Sequence, residues 1–332
     1  AETRQEVLGE GSQDMNARTA RQWMVTHEWM VKPMAQAEWI EGKGLLVWLA
    51  EVFSALGTGL YLVAIFFSQS HPKAAFWGAL LGGIGIGLFK LPLHFFYLGK
   101  PWRFWRAFPP ISNAWKTSWF ARGITFTMIF LFFGIIQVIL LGLIAYGKGN
   151  AGIEAANWVF MILAGISCVV TAVYCGFAMS YCKSVPFWNT GLLPFVFLIM
   201  GIADGLALIM GVGLVTGDEL IGTAESITRI LLIANAFLII VYLVNATYQS
   251  ATGELSVKEL VRGHVAWVFW VGIVLFGIII PFVIAVVGAF TESPTGLLIF
   301  AVICHTIGAF ALKYGVLKVG IYRPLLPKAR AY

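Results

Sequence analysis

Residues 90–122 read KLPLHFFYLGKPWRFWRAFPPISNAWKTSWFAR. The stretch opens inside an apolar run, with Lys90 and His94 one helical turn apart, and leaves that run at Leu98, Gly99, Lys100 and Pro101. It carries Trp102, Arg103, Trp105, Arg106, Trp115, Lys116 and Trp119 before a second apolar run begins near Arg122. Trp and Arg concentrated in one short connection mark a structured membrane–water interface. A Lys inside an apolar helix is costly enough in a bilayer to be a functional suspect. The stretch therefore reads as the end of one membrane helix, an interfacial loop and the start of the next.

The composition outside this loop agrees. The chain has 332 residues, of which 59% are hydrophobic and 11% charged, and a mean hydropathy of +0.85. A soluble domain carries about 25% charged residues, so the composition implies a polytopic membrane protein. Eight apolar stretches, at roughly 44–67, 74–97, 119–146, 154–180, 191–215, 223–248, 264–290 and 295–318, are each long enough to cross a bilayer. Such lengths favour helices over the shorter strands of a membrane barrel. The expected fold is all-α with eight transmembrane helices in two four-helix bundles, 44–180 and 181–318, between tails at 1–43 and 319–332. A faint echo between FSALGTGLYL in the first helix and FLIMGIADGLALIMG in the fifth agrees with two halves. In the N-terminal tail, Trp23, Met30 and Met34 share one helical face and suggest an interfacial segment, interrupted at Pro33. Pro281 is expected to kink the seventh helix. Gly57, Gly59, Gly82, Gly83, Gly85 and Gly87 are expected to let the first two helices approach closely.

Charge placement gives an orientation. Eight helices put both termini on one side. Counting the tails, with Lys313 assigned to the C-terminal one, 18 of the 22 Lys and Arg residues fall on that side, and Lys73, Lys148 and Arg229 on the other. The positive-inside rule then places the termini and the loop 98–118 in the cytoplasm. Because these charges flank spans rather than line a soluble face, nucleic acid is not the expected partner.

Cys168, Cys175 and Cys182 lie seven apart on one helix face, Cys304 stands alone, and there is no CxxC. The protein itself is thus expected to hold no metal and no iron-sulfur cluster, its cysteines serving as small packing residues. His94 and His305 are the histidines well inside spans, at unequal depths, so paired haem ligation is not expected either.

Depth suggests where the chemistry lies. Glu51 is about seven residues into the first helix and Lys90 about seven before the second helix exits on the same side; at ~1.5 Å per residue both are roughly 10 Å deep. They are expected to pair, with His94 one turn nearer the surface and Trp102 and Arg103 capping the same corner. A quinone needs such a place: donors for its two carbonyls, acid–base groups for two protons, and an opening to lipid for its tail. Glu51 and His94 are the acid–base candidates, and Lys90, Trp102 and Arg103 the further binding residues. The competing reading is a Glu51–Lys90 pair that only pins two helices. A deeper polar set, Asp204, Asn235 and His305, reads either as a proton path or as isolated, satisfied polar residues. Asp218, Glu219, Glu225 and Glu292 crowd the opposite side.

Three stretches carry a resemblance. HFFYLGKPWRFWRAF followed by TSWFARG, KSVPFWNTGLLPFVFLIMGIADGLAL (Lys183–Leu208) and EVFSALGTGLYL together resemble the NrfD-like and PsrC-like membrane subunits of molybdopterin oxidoreductases, in order and over residues 45–210. The resemblance implies a quinone-reactive anchor in a prokaryotic inner membrane, binding menaquinone or ubiquinone and holding no haem or cluster of its own. It implies a four-cluster iron-sulfur partner on the loop face and a bis-molybdopterin catalytic subunit beyond it. Carried onto this sequence, the quinone corner falls on Glu51 and on His94 to Arg103, and Trp105, Arg106, Trp115 and Trp119 support docking. Two rival readings remain. One is a secondary transporter using Glu51, Lys90 and Asp204; the other is an anchor with the quinone site elsewhere in its complex.

Overall fold

The computed structural model describes residues 40–108, 113–217, 220–291 and 294–322. The N-terminal segment with Trp23, Met30 and Met34 lies outside the described residues, as do Asp218, Glu219 and Glu292. Among the described residues, eight helices are long and apolar enough to cross a membrane. They are Gly44–Phe66, Pro72–Tyr97, Trp119–Ala145, Ala151–Ser180, Leu193–Thr216, Ile221–Gln249, Val268–Val287 and Thr295–Lys318, here the first to eighth spans. The protein is an all-helical integral membrane protein.

Each of the first four spans packs on the next, and the fourth returns to the first; the fifth to eighth spans repeat that pattern. The two rings meet where the first span lies against the fifth. Lipid tails are as apolar as Leu, so this seam depends on close packing rather than on hydrophobic contrast. Glycine makes it possible. A Cβ on Gly59 would strike the Gly201 carbonyl, and one on Gly205 would strike the Gly59 carbonyl. The glycines expected between the first two spans therefore divide. Gly57 and Gly82 do meet there, while Gly59 serves the fifth span and Gly87 faces Leu131 of the third. The outer spans show the complementary pattern: Ile230, Ile233, Phe237, Ile240 and Val244 form an exposed apolar stripe along the sixth.

Two spans change their helical pitch just before a proline. The second is a π-helix over Gly85–Lys90, ahead of Pro92, and the seventh over Val268–Ile279, ahead of Pro281. Proline has no N–H and its ring crowds the carbonyl four residues back. A wider turn is one way to relieve that crowding, and such turns recur at functional sites.

Three features differ from the sequence reading. Residues Ala251–Arg262, which lie between the sixth and seventh apolar stretches, form an amphipathic helix of their own. Ser250 Oγ caps it by accepting from Gly253 N at 3.0 Å, and Lys258 pairs with Glu254 at 2.7 Å. The seventh span consequently begins at Val268. Lys313, assigned to the tail, is buried inside the eighth span. The fourth-to-fifth connection plugs into the helices: Trp188 is fully buried and its Nε1 donates to the Val316 carbonyl at 2.7 Å. Tyr242 Oη donates to the Phe187 carbonyl at 2.8 Å and fastens the same connection to the sixth span.

Candidate functional site

The π-turn of the second span brings Lys90 and His94 inward, and both are buried. His94 Nε2 lies 3.2 Å from Tyr174 Oη of the fourth span and 3.5 Å from Glu51 Oε1 of the first. Three spans thus converge on one imidazole nitrogen. Lys90 turns elsewhere: its Nζ donates to Thr127 Oγ1 at 3.2 Å and sits 4.4 Å from the Tyr174 ring centroid. The expected Glu51–Lys90 ion pair is therefore not formed. The ammonium reaches across to the third and fourth spans, and the carboxylate goes to His94. The lysine still acts on Glu51 electrostatically. Tyr174 fits against the third span because Gly123 leaves room; a Cβ there would run into its ring.

Two cavities flank His94. One, of about 370 Å³, is lined by Glu51, His94, Thr117, Trp119, Phe120, Tyr174 and Cys175 among others. The second, of about 480 Å³, is nearly all apolar and runs between the second and third spans past Gly87, Leu91, Phe95, Phe104, Phe120 and Met128. It opens outward beside the exposed Phe96 and Met128. His94 and Phe120 belong to both cavities, their rings tilted together at 5.9 Å. A third apolar recess of about 330 Å³, around Gly83, Gly87 and Gly134, continues along the same groove. Glu51 Oε2 and His94 Nδ1 are buried without a hydrogen-bond partner. Such orphaned polar atoms at a cavity are expensive unless a ligand or water engages them. Cys182 lies on the wall of the first of these cavities, where burial pushes its thiol up, so it stays protonated at neutral pH.

The interfacial loop is arranged differently from expectation. Pro101–Ala107 winds as a 3₁₀ helix and carries Trp102 and Arg103 outward. Both are exposed and neither lines either of the two cavities beside His94; Trp102 packs edge-on against Phe95 at 5.5 Å. Phe104, one residue beyond, takes the corner position expected of them. Trp105 and Arg106 are exposed side by side, the guanidinium 5.3 Å from the indole. Trp119 is not part of this surface. It stacks on Phe177 at 5.4 Å under the Arg122 guanidinium and forms a cavity wall. Trp115 is half-buried, and its carbonyl accepts from Arg122 Nε at 2.9 Å.

The deeper set is brought together only in part. Asp204 of the fifth span and His305 of the eighth approach to 3.0 Å and are both fully buried. His305 Nδ1 donates to the Gly277 carbonyl at 2.8 Å. Pro281 lies four residues beyond Gly277 and has no N–H to give that carbonyl, so the imidazole takes the place of a helix donor. The bond fixes the tautomer and leaves Nε2 toward Asp204. Asn235 does not join them; its Nδ2 lies 2.9 Å from Met200 Sδ.

Sequence reasoning missed Tyr174, Thr127, Phe120 and Lys313. A signal for Tyr174 was present: the Cys168, Cys175 and Cys182 stripe marks the inward face of the fourth span, and Tyr174 borders it. Nothing in the sequence distinguished Thr127 from other span hydroxyls.

Residues 44–324 match the family model described as Polysulphide reductase, NrfD. The protein is 27% identical over 263 residues to the C subunit of polysulfide reductase from Wolinella succinogenes, a match covering 73% of the present sequence and 80% of that subunit. It is 24% identical over 268 residues to the NrfD homolog of Haemophilus influenzae, covering 73% and 81%. It is 25% identical over 264 residues to NrfD of Escherichia coli, covering 68% and 78%. With eight spans and a family match across all of them, the protein belongs to the NrfD polysulphide reductase family of membrane proteins.

Proposed function

We propose that this protein is the membrane anchor and quinone-reactive subunit of a respiratory oxidoreductase, exchanging electrons between the quinone pool and an iron-sulfur partner. One observation carries the reading. His94 and Glu51 present buried, unpartnered polar atoms where a cavity that also holds Tyr174 and Thr117 meets an apolar groove that opens to lipid. That suits a polar quinone head on a long isoprenoid tail. When bound, a quinone supplies two-electron, two-proton chemistry. The protein supplies the rest. His94 and Glu51 hold and move protons at Nδ1 and Oε2. Tyr174 fixes the imidazole through Nε2, and Lys90 adds a buried positive charge held by Thr127. Phe120 forms the wall between head and tail compartments.

The exposed Trp102, Arg103, Trp105 and Arg106 offer a cationic, aromatic face for the partner, with Trp115 behind it. We take that partner to be a four-cluster iron-sulfur subunit, with a bis-molybdopterin catalytic subunit beyond it. The Wolinella succinogenes relative is named as one lettered subunit of a reductase, which supports assembly with further subunits. We place the loop face and termini in the cytoplasm of a prokaryotic inner membrane. Moving Lys313 into a span leaves that bias at 17 basic residues to three.

Purified complex carrying Glu51→Gln or His94→Ala tests the site. Loss of a positioned acid–base group costs about 10²- to 10⁴-fold, so quinol-linked turnover should fall by at least 100-fold with assembly intact. Variants that assemble and turn over quinol normally would reduce the protein to a structural anchor.

A further inference from the structure

The groove between the second and third spans extends well beyond His94. Its two recesses, of about 480 and 330 Å³, share Gly87. Their lining runs from Leu98 to Ala79 on the second span and from Phe120 to Ile139 on the third. Either stretch rises about 28 Å, close to the thickness of a bilayer core. Leu88, Ile135 and Ile139 line the far recess and are exposed, so it faces lipid. Three glycines shape it: Gly83 and Gly87, one turn apart on the second span, and Gly134 on the third. A Cβ on Gly83 would meet nothing within 4 Å, and one on Gly87 only the Leu131 side chain, at 3.6 Å. Close packing of helices, the role of glycine between the first and fifth spans, does not call for glycine at these two positions. Their missing side chains leave an open channel instead.

Away from His94 the channel offers a ligand no polar handle. Tyr61 is the one polar side chain lining the far recess, and its Oη already donates to Gln137 Oε1 at 2.9 Å. The occupant there is therefore hydrocarbon. Lipid chains are as apolar as the channel, so the hydrophobic effect does not choose between a phospholipid chain and a quinone tail. Tethering does. A head held at His94 puts the first carbons of its own tail inside the channel. The rest of that tail then competes at high effective concentration with chains that diffuse in. From His94 to Leu80 the second span rises about 21 Å. An isoprene unit has four chain bonds and extends about 4–5 Å, so this length takes about four or five units.

We propose that the quinone tail lies along this channel as far as Tyr61, and that Gly83, Gly87 and Gly134 make the protein selective for quinones with about four or more isoprene units. This rests on the quinone reading and adds to it a part of the substrate that the head site does not choose. A tail of about two units ends beside Gly87 and leaves the far recess to lipid. A tail longer than about five units runs out into the bilayer and gains nothing further. A leucine at position 83 fills the far recess from its wall without striking packed neighbours, because the space before it is open.

The test uses the purified whole complex in proteoliposomes, with a one-electron dye as acceptor. The donors are quinols of one ring type with short, intermediate and long isoprenoid tails, each at the same mole fraction of lipid. Equal mole fractions remove differences in partitioning. In wild type, kcat/KM should rise about tenfold from one isoprene unit to four and change little beyond. Gly83→Leu should abolish most of that ratio, and Gly83→Ala part of it. The ratio of two quinols on one preparation is the readout, so poorer yield or assembly of a variant cancels. A wild-type ratio near one would overturn the proposal and leave the channel to phospholipid chains, independently of how any variant folds. A ratio that Gly83→Leu leaves intact would also overturn it, since the tail would then lie elsewhere. Wild type that fails to turn over any quinol would overturn the quinone reading itself, and this inference with it.

Discussion

His94 holds two partners on one ring nitrogen, Tyr174 Oη at 3.2 Å and Glu51 Oε1 at 3.5 Å, and its Nδ1 is buried without a hydrogen bond. The tyrosine is thus a positioning residue for the imidazole. A neutral hydrogen bond contributes about 0.5–1.5 kcal/mol, and each 1.36 kcal/mol is tenfold in rate. Tyr174→Phe should therefore lower quinol-linked turnover by about two- to tenfold, far less than His94→Ala, with assembly unchanged. Steady-state turnover of the two variants side by side checks this; equal losses would make the hydroxyl itself an acid–base group. Glu51, Lys90 and His94 were legible as residues because charge inside an apolar run is conspicuous. Their pairing was not. Depth along two helices suggested Glu51 with Lys90, but depth gives no rotation about the helix axis. The π-turn at Gly85–Lys90 sets that rotation, and no short pattern announces it. Trp102 and Arg103 failed for a similar reason, since the 3₁₀ winding after Pro101 points them outward.

At the level of elements, the seam between the first and fifth spans is glycine backbone against glycine backbone. A side chain there must push the spans apart, and overpacking costs typically 1–3 kcal/mol. Gly59→Leu should lower the thermal midpoint of the detergent-solubilised protein by several degrees, while Gly222→Ala, where a Cβ meets nothing, should not. Differential scanning fluorimetry distinguishes them, and equal midpoints would mean the seam contributes no stability. The eight spans were readable because 20 apolar residues have few other fates. The helix Ala251–Arg262 was not, because its polar face resembles a hinge and one glycine near its start, Gly253, reads as a breaker. Pro281 was expected to bend its helix; its larger consequence is the carbonyl that it leaves for His305.

Over the whole molecule, buried polar groups are divided between the halves. The first four spans hold Glu51, Lys90, His94 and Tyr174 around two cavities, and the last four hold the Asp204–His305 pair. The first and fifth spans, packed together, are the common wall between them. Composition revealed the membrane class, because it is a sum over many residues. The groove between the second and third spans could not be read that way, since its lining is ordinary span residues brought together by packing. The claim that a quinone head sits beside His94 is tested most directly by photolabelling the intact complex. The probe is a short-tailed quinone bearing an azide on its ring, and labelled peptides are mapped by mass spectrometry. A site at His94 predicts label within residues 91–98, 119–128 and 174–182, lost when excess natural quinone competes. Competable label confined to the fifth to eighth spans would contradict it.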